Sequence, residues 1–404
     1  MSAPRGAPKR LHVLGGGLWQ IPTIRLAKEL GHEVLVTGSD PAAPGAAFAD
    51  AYEAVDIRDR AGTLAAARRR RIDGIVCDTT DVGVPTAAYV AEALGLPGIG
   101  LETALRFTNK HAMRDAAAAA GVRNPRYAAV ADEAQLAEAA RAVGFPLIVK
   151  PVDSQSSRGV AKVAAPEALP AAFVAARAAS AAGVVLVEAF VAGTEVTVEA
   201  VCEDGAVTVL GISDKEHYAD RPQVASRLAY PAALPPHVLD EVVRTNAAVT
   251  RALGLRTGVT HAEYIVTPGE EVYLVEIAAR GGGSRIYTHI APYLSGIDVP
   301  RWYLARALGQ DVRLPPPRPG SRAAVLAFLE VPSGVVRSVS GLEAARRVPG
   351  VVEAEAELVP GRFYAGAEND RARPGYVVAF GAARAEVIGA AEEARSSIRV
   401  EMER

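Results

Sequence analysis

The stretch from His261 to Gly283 holds two apolar runs on either side of Pro268-Gly269, then the series Glu276-Ile-Ala-Ala-Arg280-Gly-Gly-Gly. Short apolar runs broken by a Pro-Gly turn signal two antiparallel strands. With a symmetric turn, Val266 faces Tyr273, Ile265 faces Leu274, Glu263 faces Glu276 and His261 faces Ala278. Directly opposed side chains place their Cβ atoms roughly 5 Å apart, and like charges there are destabilising. A fold that accepts this pair calls for a cation between the carboxylates, and such hard oxygen donors suit Mg²⁺ beside phosphates. Arg280, just past the second strand, adds a permanently charged fork suited to phosphate or carboxylate. The same residues also fit a solvated hairpin with two exposed glutamates.

Upstream, apolar runs at Leu11–Leu14, Glu33–Thr37, Gly74–Cys77 and Gly98–Ile99 read as strands. Helical stretches fall between them, ending near Leu30 and spanning about 63–71 and 85–94. This alternation predicts a parallel, doubly wound sheet. Gly15-Gly16-Gly17 resembles a dinucleotide fingerprint, with Asp40 at the end of the second strand, but Gln20 stands where the third glycine belongs. The glycines are therefore read as permitting close approach of a ligand or a neighbouring loop.

Lys110 opens a helix that ends at Gly121, and Phe145-Pro-Leu-Ile-Val-Lys150 is a strand delivering a lysine at its exit. The loop Asp153–Gly159, with Ser156, Ser157 and Arg158, can offer N–H groups and positive charge to phosphates, although a plain polar hairpin loop fits it too. A helix over 166–181 leads to an apolar run ending at Glu188, and Gly193 to a strand on which Glu195, Thr197 and Glu199 share a face. Gly211–Lys215 runs into a polar loop over 216–227, and 235–253 reads as a helix.

At 404 residues, and roughly 150 per domain, two or three domains are expected. The net charge of −2 carries no basic footprint for nucleic acid. Cys77 and Cys202 have neither metal nor redox spacing and are read as reduced core thiols. No apolar run nears the roughly 20 residues that span a bilayer. Despite Arg5, Lys9 and Arg10, the run Leu11–Leu14 is too short for a signal peptide. A cytoplasmic protein without membrane or nucleic-acid partners is expected, with a homodimer left open.

Taken in order, Lys110, Phe-Pro-Leu-Ile-Val-Lys150-Pro, the Ser/Gly loop, Val-Glu188-x-Phe-Val-x-Gly-x-Glu195, Glu263 and Glu276-Ile-Ala-Ala-Arg280 resemble the ATP-grasp superfamily of carboxylate–amine ligases. The resemblance spans roughly 105–310, and the His-x-Glu and Gly-Gly-Gly forms are closest to the L-amino acid ligase branch. It implies ATP and one or two Mg²⁺ ions, with Mn²⁺ able to substitute, and small-molecule carboxylate and amine substrates. Lys110 and Lys150 would contact phosphates, and the 153–159 loop, with Ser156 and Ser157, would close as a lid. Glu188 and the backbone at Phe190 and Val191 would hold adenine, and Glu195 the ribose. Glu263 and Glu276 would hold the metal. Arg280, with Lys150, would serve the γ-phosphate and an acyl-phosphate. His261, Arg285, Tyr287 and Glu199 are candidates for the substrate pocket. Ala278 stands where many relatives carry Asn, which leaves the second metal in question.

Past the stiff Pro315–Gly320 linker, strands and helices over 322–402 follow a β-α-β-β-α-β order, which suggests a ferredoxin-like module. Pro332-Ser-Gly and Pro349-Gly-Val resemble the C-terminal domain of the same ligases. The expected architecture is α/β and α+β. A doubly wound N-terminal α/β domain covers 1–104, a two-lobed ATP-grasp domain 105–314 with a lid at about 125–190, and a small C-terminal α+β domain 315–404. The expected activity is ADP-forming ligation through an acyl-phosphate. An ATP-grasp kinase, a bicarbonate-dependent carboxylase and a nucleotide sensor are the alternatives. From the hairpin alone, Glu276→Gln should remove most activity, leave the fold intact and slightly stabilise the apo protein.

Overall fold

The computed structural model describes residues 7–318 and 320–403, so Arg5 and Pro319 of the stretches above lie outside it. The first sheet is parallel, with β1 (Arg10–Leu14) central between β2 (Glu33–Gly38) and β4 (Gly74–Val76), and β3 (Ala51–Ala54) beyond β2. Helix α1 (Ile21–Glu29) packs on Leu11 and Val13, while α2 (Arg60–Arg70) and α3 (Val84–Leu94) pack on the face of Leu14 and Leu35. Gly98–Ile99 is not a strand, because α3 passes directly to α4 (Leu101–Thr108) and α5 (Lys110–Ala119) without a partner edge.

A second sheet, ordered β5-β8-β6-β7, is formed by β5 (Tyr127–Val130), β6 (Leu147–Pro151), β7 (Ala161–Val163) and β8 (Val185–Ala189). Helices α6 (Glu133–Val143) and α7 (Leu169–Ala178) cover it with their own apolar cluster around Phe173 and Leu136. This lobe carries the 153–159 loop between β6 and β7.

The largest sheet begins with β9 (Thr194–Glu203), β10 (Ala206–Tyr218) and β11 (Arg221–Tyr230). After α8 (Pro236–Ala252) come the hairpin strands β12 (Gly258–Val266) and β13 (Val272–Ala278). The expected loop at 216–227 is thus largely strand. Its charges are matched across the ladder, as where Arg227 bonds Glu216 at 2.7 Å. Past the glycine loop, the helical stretch is divided at Gly296 into α9 (Ala291–Ser295) and α10 (Val299–Ala307), and α10 packs on β4 and α1.

The C-terminal elements are β14 (Ala323–Phe328), β15 (Gly334–Ser340), α11 (Leu342–Arg346), β16 (Val351–Ala356), β17 (Phe363–Tyr364), β18 (Gly375–Gly381), α12 (Arg384–Ser397) and β19 (Arg399–Glu403). They are α+β but not one ferredoxin-like sheet. β14, β18 and β16 extend the central sheet to eight strands, ordered β13-β12-β9-β10-β11-β14-β18-β16, while β15, β17 and β19 pair apart. The alternating apolar runs fit either arrangement; the free edge of β11 decides between them.

Candidate active site

The hairpin register positions the carboxylates. His261 faces Ala278 and Glu263 faces Glu276, but nearer the turn Ile265 faces Tyr273 and Val266 faces Val272. The pairs first drawn around the turn were one residue out, because Val275 is an extra residue in a β-bulge. A side chain's face alternates along a strand, so the one-residue bulge is what turns Glu276 to the same face as Glu263.

That face continues across the sheet by the period of two. It presents Glu276, Ala278, His261, Glu263, Thr197 and Lys215, then the apolar Leu228, Leu326 and Phe328 and the ring of Tyr376. Together they floor a cleft of about 1140 Å³, walled by the Gly15–Gln20 turn, the Thr79–Val82 turn and the lid loop with Ser156 and Ser157. Ser156, Ser157, Ser284 and Arg285 all adopt positive φ without being glycine. Such conformations cost energy and gather where the surroundings impose them, here along the rim.

The electrostatics are paired throughout. Lys110 donates from Nζ to Oε1 of Glu276 at 2.8 Å and to the Ser154 carbonyl at 2.7 Å. Lys215 donates to Glu263 at 2.9 Å and to Glu195 at 2.6 Å, and His217 lies 3.1 Å from Glu195. Burial works against the Glu263 carboxylate, yet Lys215 and His261 hold its pKa well below the usual range. Each metal-site candidate is therefore already matched by a lysine. The expected gain in apo stability for Glu276→Gln is therefore opposed by loss of the Lys110 ion pair.

His261 Nδ1 bonds Glu199, and its Nε2 lies 3.7 Å from Glu263. Burial would depress the imidazole pKa, but the adjoining Glu199 raises it to about 9. Glu199 itself is buried and also accepts from the Gly282 N–H at 3.2 Å, so it orients His261 instead of lining the cleft. Glu188 sits between Arg114 Nε and Lys150 Nζ, both at 2.6 Å, in a cluster almost closed to solvent. Burial opposes its charge, but the two cations bring its pKa to about 2, while burial lowers that of Lys150. Phe190 lies under the Lys162 ammonium, 3.5 Å from ring centre to nitrogen, with Val191 next along the chain.

Two further substrate-pocket candidates, after Glu199, are corrected. Tyr287 is 2% exposed and packs against Gly281 and the Tyr303 ring, away from the cleft. Arg285 is committed to Glu353 at 2.7 Å and to Tyr376 at 3.2 Å, and so ties the glycine loop to the C-terminal module. The Gly15–Gly17 turn is not a dinucleotide cradle. Gly17 N–H donates to Gln20 Oε1 at 2.9 Å, and a Cβ on Gly16 would meet Ala43 and Tyr52, so neighbouring protein explains the glycines.

Sequence reasoning missed Lys215, Arg114 and Asp81. Lys215 stood just before the supposed loop, so its place on a strand facing Glu195 was not seen. Arg114 lies four residues after Lys110 on α5, a spacing that puts both on one face. Asp81 lies just past the C-terminal end of β4, where open parallel sheets bind ligands.

Residues 143–288 match the ATP-grasp domain family, and residues 327–403 match the L-amino acid ligase C-terminal domain 2. The chain contains an ATP-grasp domain. The chain is 28% identical over 363 residues to a formate-dependent phosphoribosylglycinamide formyltransferase of Anaeromyxobacter dehalogenans, covering 85% of this chain and 87% of that one. It is 26% identical over 268 residues to the alanine–anticapsin ligase of Bacillus subtilis, covering 59% and 55%. An L-amino acid ligase from Bacillus licheniformis superposes with a TM-score of 0.83 over 98% of this chain and 99% of that one, at 22% identity, a likeness of fold. Among the described residues, no helix is long and apolar enough to cross a membrane.

Proposed function

We propose that the protein activates the carboxylate of an amino acid or similar small acid as an acyl-phosphate and passes the acyl group to an amine. The observation that carries this reading is one sheet face whose charged end holds Lys215, Glu263, Glu276 and His261 and whose other end is apolar, through Leu228, Leu326 and Phe328. Phosphates and reacting groups belong at the first end, and a substrate side chain at the second. The Gln20 plug in the glycine turn favours such a substrate over one that needs a phosphate cradle there.

In the first step a carboxylate oxygen attacks the γ-phosphorus, the bond to the β–γ bridging oxygen breaks, and ADP leaves. In the second an amine nitrogen attacks the acyl carbon, gives up a proton, and phosphate leaves. The protein's contribution is positioning and charge stabilisation. Lys110 and Lys150 would bind phosphates and Arg280 the γ-phosphoryl group, while Ser156 and Ser157 close over them. Glu188 and the backbone at Phe190 and Val191 would hold adenine, and Glu195 the ribose. His261 would face the reacting groups.

Glu263 and Glu276 fit Mg²⁺, and with it Mn²⁺, because both are oxygen donors on one face and both attract a cation, at present lysine. No cluster of three or more His, Cys, Asp or Glu ligands occurs among the described residues, so water and phosphate oxygens would complete the shell, as Mg²⁺ usually requires. The ion would neutralise charge on the phosphate oxygens.

The test is incubation with ATP, Mg²⁺ and pairs of amino acids or small acids and amines. Equal ADP and phosphate with an amide product is expected. AMP and pyrophosphate would overturn the reading. A phosphorylated product formed without amine would mark a kinase, and bicarbonate-dependent ADP release a carboxylase.

A further inference from the structure

Arg280 is held from another layer of the molecule. Its Nε donates to Oδ1 of Asp81 at 2.7 Å, and its Nη2 to Oδ2 at 3.2 Å, while Nη1 donates to the Gly281 carbonyl at 3.0 Å. The two side chains are 16% and 13% exposed, and both residues line the cleft. A guanidinium carries five N–H donors in one rigid plane. A two-point carboxylate contact along one edge fixes that plane and leaves the unused donors for a ligand. Burial would discourage charge on Asp81, but Arg280 beside it, with Lys110 and His261 beyond, keeps its pKa low. The neighbouring Asp78 carbonyl accepts the Gly281 N–H at 2.8 Å, so the N-terminal sheet grips this segment twice.

The lid loop touches the same turn. Gln155 Oε1 accepts the Asp81 N–H at 2.8 Å, and Gln155 Nε2 donates to Thr80 Oγ1 at 3.3 Å. On the other side of the cleft, Ser157 donates to Asp370 at 3.2 Å. These bonds exist only while the loop lies across the cleft. Loop position, the Asp81 turn and the Arg280 plane therefore form one hydrogen-bonded series.

We propose that Asp81 is a positioning residue that aims Arg280 at the transferring phosphoryl group, and that Gln155 locks the Asp81 turn when the lid loop closes. The inference rests on the role proposed above for Arg280. It separates two functions of the N-terminal domain: shaping the cleft and completing the catalytic geometry only after closure. ATP bound under an open lid would meet a less well aimed arginine.

The test compares wild type, Asp81→Asn, Arg280→Ala and the double variant in ADP release, using a substrate pair that turns over or, failing one, ATP hydrolysis by the full chain. Asp81→Asn should lower kcat roughly 10–100-fold, the effect of a small misplacement. The KM for ATP should change by less than about threefold, because ground-state binding is untouched. In the Arg280→Ala background, Asp81→Asn should cost nothing further. Losses that multiply instead would show Asp81 to be merely structural and overturn the proposal. Arg280→Ala at the wild-type rate would sink the role of Arg280, a separate failure. Gln155→Ala, in the solvent-facing loop, supplies the same comparison should Asp81→Asn not fold. Its kcat loss should vanish in the Arg280→Ala background, and persistence there would break the link to the lid.

Discussion

Glu276→Gln sets the two neighbours of one carboxylate against each other. Glu276 faces Glu263 across the hairpin and bonds Lys110 at 2.8 Å, with side-chain exposures of 29% for Glu276 and 7% for Lys110. Relief of an opposed like-charge pair is worth a few tenths to about 1 kcal/mol. Lys215, 2.9 Å from Glu263, already neutralises much of that repulsion, so the gain falls at the small end. Glutamine keeps an oxygen for Lys110 but removes the negative charge that neutralises its buried ammonium, a loss of about 1–1.5 kcal/mol. The net is a destabilisation of about 1 kcal/mol, or roughly 1 °C in Tm if the 404 residues melt together. Thermal melting of the apo protein by dye fluorescence measures it, and the rise in Tm with Mg²⁺ and ATP should also shrink. A higher apo Tm for Glu276→Gln would refute the reasoning. Repeating the substitution in a Lys110→Met background should reverse the sign, because only the repulsion then remains.

Other outcomes follow from the same contacts. Glu188→Gln leaves Arg114 and Lys150 buried around a neutral group and should cost about 3 kcal/mol or more, read as a larger drop in Tm than for Glu276→Gln. Lys150→Ala should weaken ATP binding by roughly tenfold or more in calorimetry, consistent with the loss of a phosphate contact. It should do so with a smaller thermal effect, because Glu188 retains Arg114. Burial raises Asp78 from 3.8 to about 6. A carboxyl raised in the folded state lends stability that is full below its unfolded pKa and lost as pH rises through the folded one. Asp78→Asn should therefore match wild type near pH 4 and be more stable at pH 8, by at most about 3 kcal/mol in urea melts. Lower stability at pH 8 would contradict this.

Much of the site could be read from the chain because its chemistry is local. Glu263, Glu276 and Arg280 lie on one hairpin and its exit, and alternation along β9 correctly grouped Glu195, Thr197 and Glu199. The Glu263–Glu276 pairing was obtained from a symmetric turn although the strand contains a bulge. The buried series Val272, Leu274, Ile277 loses the period of two at the bulge, and that break was the available signal. The strand at 216–218 and 221–227 was not legible, since its polar residues are matched only by partners across the ladder. Glu199, Arg285 and Tyr287 were chosen as pocket residues on chemical type, but tertiary packing gave them other partners. Asp81 and Arg280, 199 positions apart, meet only once two sheets are assembled.

The eight-stranded sheet passes from the ATP-grasp strands into the C-terminal module without interruption. Residues 227–230 of β11 are hydrogen-bonded to 324–327 of β14 along their whole pairing. Removing the tail at the proline-rich linker would therefore not yield a smaller enzyme. It would bare a flat edge of N–H and C=O groups beside Leu228 and Tyr230, a template for joining other chains. Shortened forms of this protein should accumulate as aggregates, and the module could be exchanged between relatives only together with the strand that receives it.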